Sequence, residues 1–304
     1  TKFEYITLSG SNTITANNHY LCFGRGISAS NTVAGTVQGS SGSVSTNLDY
    51  TIRIESGQYE QLLFVGSGES SGTVHANIIL GCDYDRADNQ NEDRLTIGTT
   101  TEPVYFGGGT LGSSNKNRRT LDCVVKSGKY CTNYWASNNT NDHSYTFYCG
   151  KSGGGTYNGN RYVTIEGGHF GGLNGGYGAG SDQADQTDLV FNLRVKGGSF
   201  EGSIYGAAAA NPSYGCRKMV FTGGTIKGWI AGGCNGTSSG AGATFGDFSC
   251  YIGGNAIIGG TSPSQNNGTE GGNVFGSGRG NSGHGDSSNP GSVINAYIVV
   301  ADNA

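Results

Sequence analysis

Apolar and polar residues alternate in short runs that recur along the chain and end at glycine: Ile52 to Gly57 (IRIESG), Cys123 to Gly128 (CVVKSG), Val163 to Gly168 (VTIEGG), Leu193 to Gly198 (LRVKGG) and Met219 to Gly224 (MVFTGG). Strict alternation over a few residues is the pattern of a β-strand with one buried face. Ile52 and Ile54, Cys123 and Val125, Val163 and Ile165, Leu193 and Val195, and Met219 and Phe221 are therefore expected to point inward, and their neighbours outward. Weaker copies end near Gly10 (YITLSG), Gly98 (RLTIG) and Gly254 (CYIGG), the last two with the register shifted by one residue. From glycine to glycine the spacings are 47, 41, 30, 40, 30, 26 and 30, so a unit of 26 to 30 residues is lengthened in places by insertions.

Past the corner glycine a second inward position is filled by Tyr59, Tyr130, Phe170, Phe200 and Ile226, and four residues further come Leu63, Tyr134, Asn174, Ile204 and Ile230. Asn174 breaks that set, and a slip of one residue puts Leu173 in its place. A strand, a glycine corner, a second strand and another turn, repeated with like residues at like positions, predict an all-β fold: a single-stranded parallel β-helix, or solenoid, of about seven or eight rungs with loop insertions. Rungs stacked ~4.8 Å apart give a rod roughly 35 to 40 Å long. Glycine suits the corners because it takes φ > 0 and allows successive backbones to approach closely.

The outward positions test this register independently. Lys126, Glu166 and Lys196 precede their corner glycines at equal distance and alternate in sign. In-register stacking of like charges would be unfavourable, so alternation is what a laddered face requires. The insertions fall at about 24 to 48, 83 to 93, 136 to 160 and 260 to 291, where Ser, Asn and Gly dominate. Ser292 to Val300 reads as a final strand, and residues 1–304 are read as one domain in which neither end carries an obvious polar cap, as in a piece of a longer rod.

Composition supports this fold class. Gly accounts for 57 of 304 residues and Pro for only 4, a balance that disfavours helix, while Tyr 17 and Phe 12 supply more apolar material than a disordered chain carries. A net charge of −4 without a basic cluster gives no footprint for nucleic acid, and no apolar stretch reaches the length of a membrane span. The chain opens at Thr1 with neither Met nor a signal-like segment, so location is inferred from low charge and abundant Ser, Thr, Asn and Gly, which favour an extracellular or cell-surface place.

Eight Cys are compatible with stacked free thiols or with disulfides. Cys131 with Cys149 and Cys216 with Cys234 share one separation, whereas Cys82, Cys123, Cys149 and Cys250 alternate with apolar residues as small buried hydrophobes would. No Cys-x-x-Cys spacing supports zinc or redox chemistry. Sequons stand at Asn138, Asn235 and Asn267.

Candidate chemistry is sparse. Phe64, Trp135 and Tyr205 fall at equivalent outward positions with Gly175 and Ala231, and stacked aromatic faces would suit sugar rings. Asp83, Asp85, Asp88, Glu92 and Asp93 form one acidic loop and Asp182, Asp185 and Asp188 a second, and either could hold Ca²⁺ as a cofactor. Neither loop matches an EF-hand or the calcium nonapeptide repeat. Few outward acids stack in a way that would place two carboxylates across a cleft, and the five His show no ligand spacing. Gly271 to Gly280 lacks the Lys-Ser/Thr ending of a phosphate loop.

Between Val163 and Gly236, the segments GGHFGGLNGGYG, GGSFEGSIYGAAAA and GGTIKGWIAGGCNG resemble the Gly-Gly-x-apolar repeats of large bacterial cell-surface, adhesin-like parallel β-helix proteins. The resemblance is one of repeat style and carries no catalytic motif. It implies a non-enzymatic extracellular or surface module that presents loops and a face for adhesion. Its expected partners are polysaccharide or cell-surface glycan, and other copies or segments of a larger surface protein. The alternative is a carbohydrate-active β-helix enzyme, a polysaccharide lyase or glycoside hydrolase including the phage-tailspike kind, acting through Asp or Glu with a nearby Lys or Arg.

Overall fold

The computed structural model describes residues 3–8, 13–14, 21–23, 48–59, 62–64, 74–83, 95–98, 104–106, 119–131, 147–149, 159–175, 190–206, 213–233, 244–260, 272–276 and 295–301. These residues are all-β, with no helix among them, and every strand pairing is parallel. The first sheet has nine strands: Phe3–Leu8, Leu48–Ile54, Val74–Leu80, Arg119–Val125, Gly159–Ile165, Val190–Val195, Cys216–Phe221, Phe248–Ile252 and Ala296–Val300. Thr13–Ile14, Gly57–Tyr59, Leu95–Ile97, Lys129–Tyr130, His169–Phe170, Ser199–Phe200, Thr225–Ile226 and Ile257–Ile258 make a second sheet of eight strands. The third, also eight-stranded, comprises Leu21–Phe23, Leu62–Phe64, Val104–Phe106, Phe147–Tyr148, Leu173–Asn174, Ile204–Tyr205, Ile230–Ala231 and Val274–Phe275. A separate pair joins Ser213–Tyr214 to Thr244–Phe245.

The chain visits the three sheets in turn. Gly159–Ile165 lies in the first sheet, His169–Phe170 in the second and Leu173–Asn174 in the third, and Val190–Val195 then returns beside Gly159–Ile165. Successive passes stack in register, so each inward position becomes a column. Val163, Leu193, Met219 and Cys250 form one such column and Ile165, Val195, Phe221 and Ile252 the next, all buried. In the second sheet Tyr130, Phe170 and Phe200 stack ring on ring, with centroids 4.8 and 4.6 Å apart and planes 17° and 11° from parallel. The expected inward sets before and just after the corner are borne out at these residues. At the corner itself Gly198 has φ 87°, and a Cβ there would lie 2.7 Å from the Gly168 carbonyl oxygen, so both the conformation and the space require glycine.

A third inward column of the first sheet alternates Arg161, Phe191, Arg217 and Phe248, and all four side chains are buried. They face the glycine-ended strands of the third sheet. A Cβ on Gly175 would lie 2.5 Å from the Gly206 carbonyl oxygen and 2.7 Å from the Phe191 ring, so the missing side chains make room for these large ones. Arg161 Nη1 donates to the Gly175 carbonyl at 2.6 Å, and Arg217 donates from Nε to Gly206 at 3.1 Å and from Nη1 to Gly215 at 2.7 Å.

Three expectations are corrected. The run ending at Gly98 is not a first-sheet strand: Leu95–Ile97 pairs in the second sheet, and the first-sheet strand of that pass is Val74–Leu80. Leu95–Ile97 and the stretch from Asn77 to Leu80 both alternate buried and half-buried residues, so the chain inserted between them hid which was which. Next, the third-sheet strand after Tyr130 is Phe147–Tyr148 rather than a segment at Tyr134. The insertion there therefore lies largely inside a pass. Finally, Leu63 aligns through Tyr105, Tyr148 and Asn174 with Tyr205, one position away from the Ile204 column in which it was expected. Leu173, by contrast, does pair with Ile204, as the one-residue slip requires. The shift near Gly254 is also real: Ile252 pairs with Phe221 and Ile257 with Thr225, so that corner holds one extra residue.

Candidate functional site

Of the aromatic ladder expected beyond the corner, the described members Phe64 and Tyr205 do not share a column. Tyr205 is only 3% exposed, and Phe64 sits one position past the Tyr205 column. Consecutive residues are buried together in the short third-sheet strands Leu173–Asn174, Ile204–Tyr205 and Ile230–Ala231, so alternation does not turn the second residue to solvent there. Trp135 lies outside the described residues, as do Asp182, Asp185, Asp188, Asp85, Asp88, Glu92 and the sequons at Asn138, Asn235 and Asn267. Among the described residues no three His, Cys, Asp or Glu side chains come together as a metal site.

Exposed aromatic and cationic side chains gather instead on the outward face of the first sheet. Two columns run side by side: Tyr162, Asn192, Lys218, Ser249 and Tyr297, and beside it Thr164, Arg194, Val220, Tyr251 and Val299. Tyr162, Tyr251 and Tyr297 are 36%, 40% and 61% exposed, and Arg194 and Lys218 are exposed too. Their presence follows from the alternation that buries Val163, Leu193, Met219 and Cys250. The signal was legible in the sequence, since Thr164, Arg194, Val220 and Tyr251 are the middle residues of the repeated strand motif. These residues lie before the glycine corner, whereas Phe64, Trp135 and Tyr205 lie past it.

Beside this face and on the adjoining second-sheet strands, several acids are met by a cation. Glu166 accepts a hydrogen bond from Lys196 Nζ at 3.0 Å across adjacent passes, the contact that the alternating charges anticipated. Lys126 turns to Asp83, and this hydrogen bond, followed by the ammonium charge, holds the Asp83 carboxyl below its ordinary range. Glu201 receives two hydrogen bonds from Lys227 at 2.8 Å, and Glu55 is held by Arg53 at 3.2 Å. Such half-exposed pairs contribute little. Lys196→Ala is accordingly expected to lower the unfolding free energy by less than ~1 kcal/mol in denaturant titration.

Cysteine behaves as a small hydrophobe here. Cys82, Cys123, Cys131, Cys149, Cys216 and Cys250 are free thiols, and all but Cys82 and Cys216 are buried. Burial pushes Cys250 up to about 12, and Cys149 up to about 12 against the pull of the nearby Arg161 charge. Cys123 is raised well above its ordinary value by burial first and by Cys149 and Asp122 next. Because the thiolate is the reactive form, iodoacetamide at pH 8 should alkylate Cys216 while leaving Cys123, Cys149 and Cys250 unmodified until denaturant is added, as read by peptide mass mapping.

Among the described residues, no helix is long and apolar enough to cross a membrane. No family model, curated protein or solved structure matches the chain.

Proposed function

We propose that the three parallel sheets are the sides of a single-stranded parallel β-helix and that the chain is a non-enzymatic, adhesin-like module of the cell surface or extracellular space that binds glycan. The observation that carries this reading is the parallel repetition of the first sheet over nine strands, in register from Leu48–Ile54 onward. Eight spacings of ~4.8 Å make that sheet about 38 Å long. Tyrosines on a half-polar surface offer sugar rings an apolar face beside hydrogen-bonding groups. Ile298 and Val300 continue the buried columns of Cys250 and Ile252 yet are exposed, which favours stacking of a further strand from another copy or another segment of a larger surface protein.

The test is incubation of the purified protein, with and without Ca²⁺, on acidic and neutral polysaccharides, reading retention and released oligosaccharide together by mass spectrometry. Retention without cleavage supports the module. Oligosaccharide release would replace it with a carbohydrate-active enzyme, and absence of both would leave a purely structural rod.

A further inference from the structure

Resting on that glycan-binding reading, we infer that the outward face of the first sheet between Tyr162 and Tyr297 is the binding site and that its ligand is a linear polysaccharide bearing uronate carboxylates. In both outward columns of this stretch the only charged residues are Arg194 and Lys218, and neither is engaged in an ion pair among the described residues. Elsewhere on the outward surface, Lys126, Lys196 and Lys227 each face an acid. On a chain of net charge −4, these two columns thus carry two positive charges and no negative one.

The geometry of the aromatic groups points to the same class of ligand. The Tyr251 Oη, Cε1 and Cζ lie 2.6, 2.9 and 2.9 Å from where a Cβ on Gly253 would sit. The hydroxyl end of the ring therefore reaches along its own strand over Gly253, and the side chain is 40% exposed. Arg194 and Tyr251 share one column, with Val220 between them. In the neighbouring column Lys218 stands midway between Tyr162 and Tyr297, separated from them by Asn192 and Ser249. At ~4.8 Å per strand, ring and cation in each column are about 10 Å apart. A chain of pyranose rings lying across the strands can place a ring on tyrosine and present a carboxylate to the next cation, with Asn192 and Ser249 in reach of hydroxyls. The planar guanidinium of Arg194 suits a carboxylate in two-point contact, and Lys218 supplies a point charge.

The test measures binding of polygalacturonate by affinity electrophoresis, with dextran and single-stranded DNA as comparison ligands and with circular dichroism to establish that each variant is folded. Arg194→Gln with Lys218→Gln should weaken polygalacturonate binding about tenfold and flatten its salt dependence. Tyr251→Ala should weaken it roughly fivefold at any salt concentration. If the parent holds polygalacturonate and the folded variants hold it equally, this face is not the site, although the glycan-binding module survives. Retention by dextran as tight as by polygalacturonate overturns the acidic ligand, and DNA binding as tight as polygalacturonate overturns sugar recognition at this face. Retention by no polysaccharide sinks both this inference and the proposed function.

Discussion

Val195→Asp is expected to unfold the passes around it, lowering the unfolding free energy by about 4 kcal/mol or more. Val195 is fully buried between Ile165 on one neighbouring strand and Phe221 on the other; its carbonyl accepts from the Thr222 N–H on one side, while the Lys196 N–H next to it donates to the Ile165 carbonyl on the other. A carboxylate there has no cation to meet and cannot reach water without breaking the ladder. It will therefore take up a proton, with its folded pKa raised above the ordinary ~4. The sign follows: the folded state binds more protons than the unfolded one, so the variant should be least unstable below pH ~4 and lose stability as pH rises above it. Guanidinium titrations at pH 4 and pH 7 read this directly. Val195→Ala, which only leaves a cavity, should cost less and show no such pH slope. A Val195→Asp protein that unfolds with its parent at both pH values would show that this column does not face the interior.

The alternation that makes this prediction possible was legible from the sequence for a definite reason. First-sheet strands reach seven residues, as in Arg119–Val125 and Gly159–Ile165, long enough for a two-residue period to show. Second-sheet positions such as Phe170 and Phe200 were legible as well, because they stand at a fixed distance from the corner glycine. The third sheet was not. Its strands are mostly two residues long, and in Ile204–Tyr205 both residues are buried, so periodicity carries no information there. Insertions of variable length precede it in some passes and follow it in others, which misplaced Tyr134 for Phe147 and Leu63 by one position. The candidate site suffered from the same weakness, since the ladder of Phe64, Trp135 and Tyr205 depended on third-sheet register. The face containing Arg194 and Tyr251 depends only on first-sheet alternation.

That alternation also leads to the least expected feature of the interior, two arginines in an apolar column, and from it to a second large effect. Arg217→Ala is expected to cost about 3 to 5 kcal/mol. Arg217 is 2% exposed and directs Nε and Nη1 at the carbonyl oxygens of Gly206 and Gly215. These acceptors lie where the chain leaves the third sheet and where it re-enters the first, so one side chain ties the two together. Truncation removes the donors, strips both buried carbonyls of these bonds and opens a cavity between Phe191 and Phe248. The order within a series separates these causes. Arg217→Met keeps most of the apolar stem and should lose less than Ala, since packing is retained while the donors are not. Lysine has a charge but no planar fork, so Arg217→Lys should not restore the parent's stability. Guanidinium titration of the three variants gives the ranking. If alanine costs under ~1 kcal/mol, the guanidinium is not enclosed and the column is open to water. A methionine variant as stable as the parent would mean that Arg217 acts through its stem, with the glycine carbonyls satisfied without it.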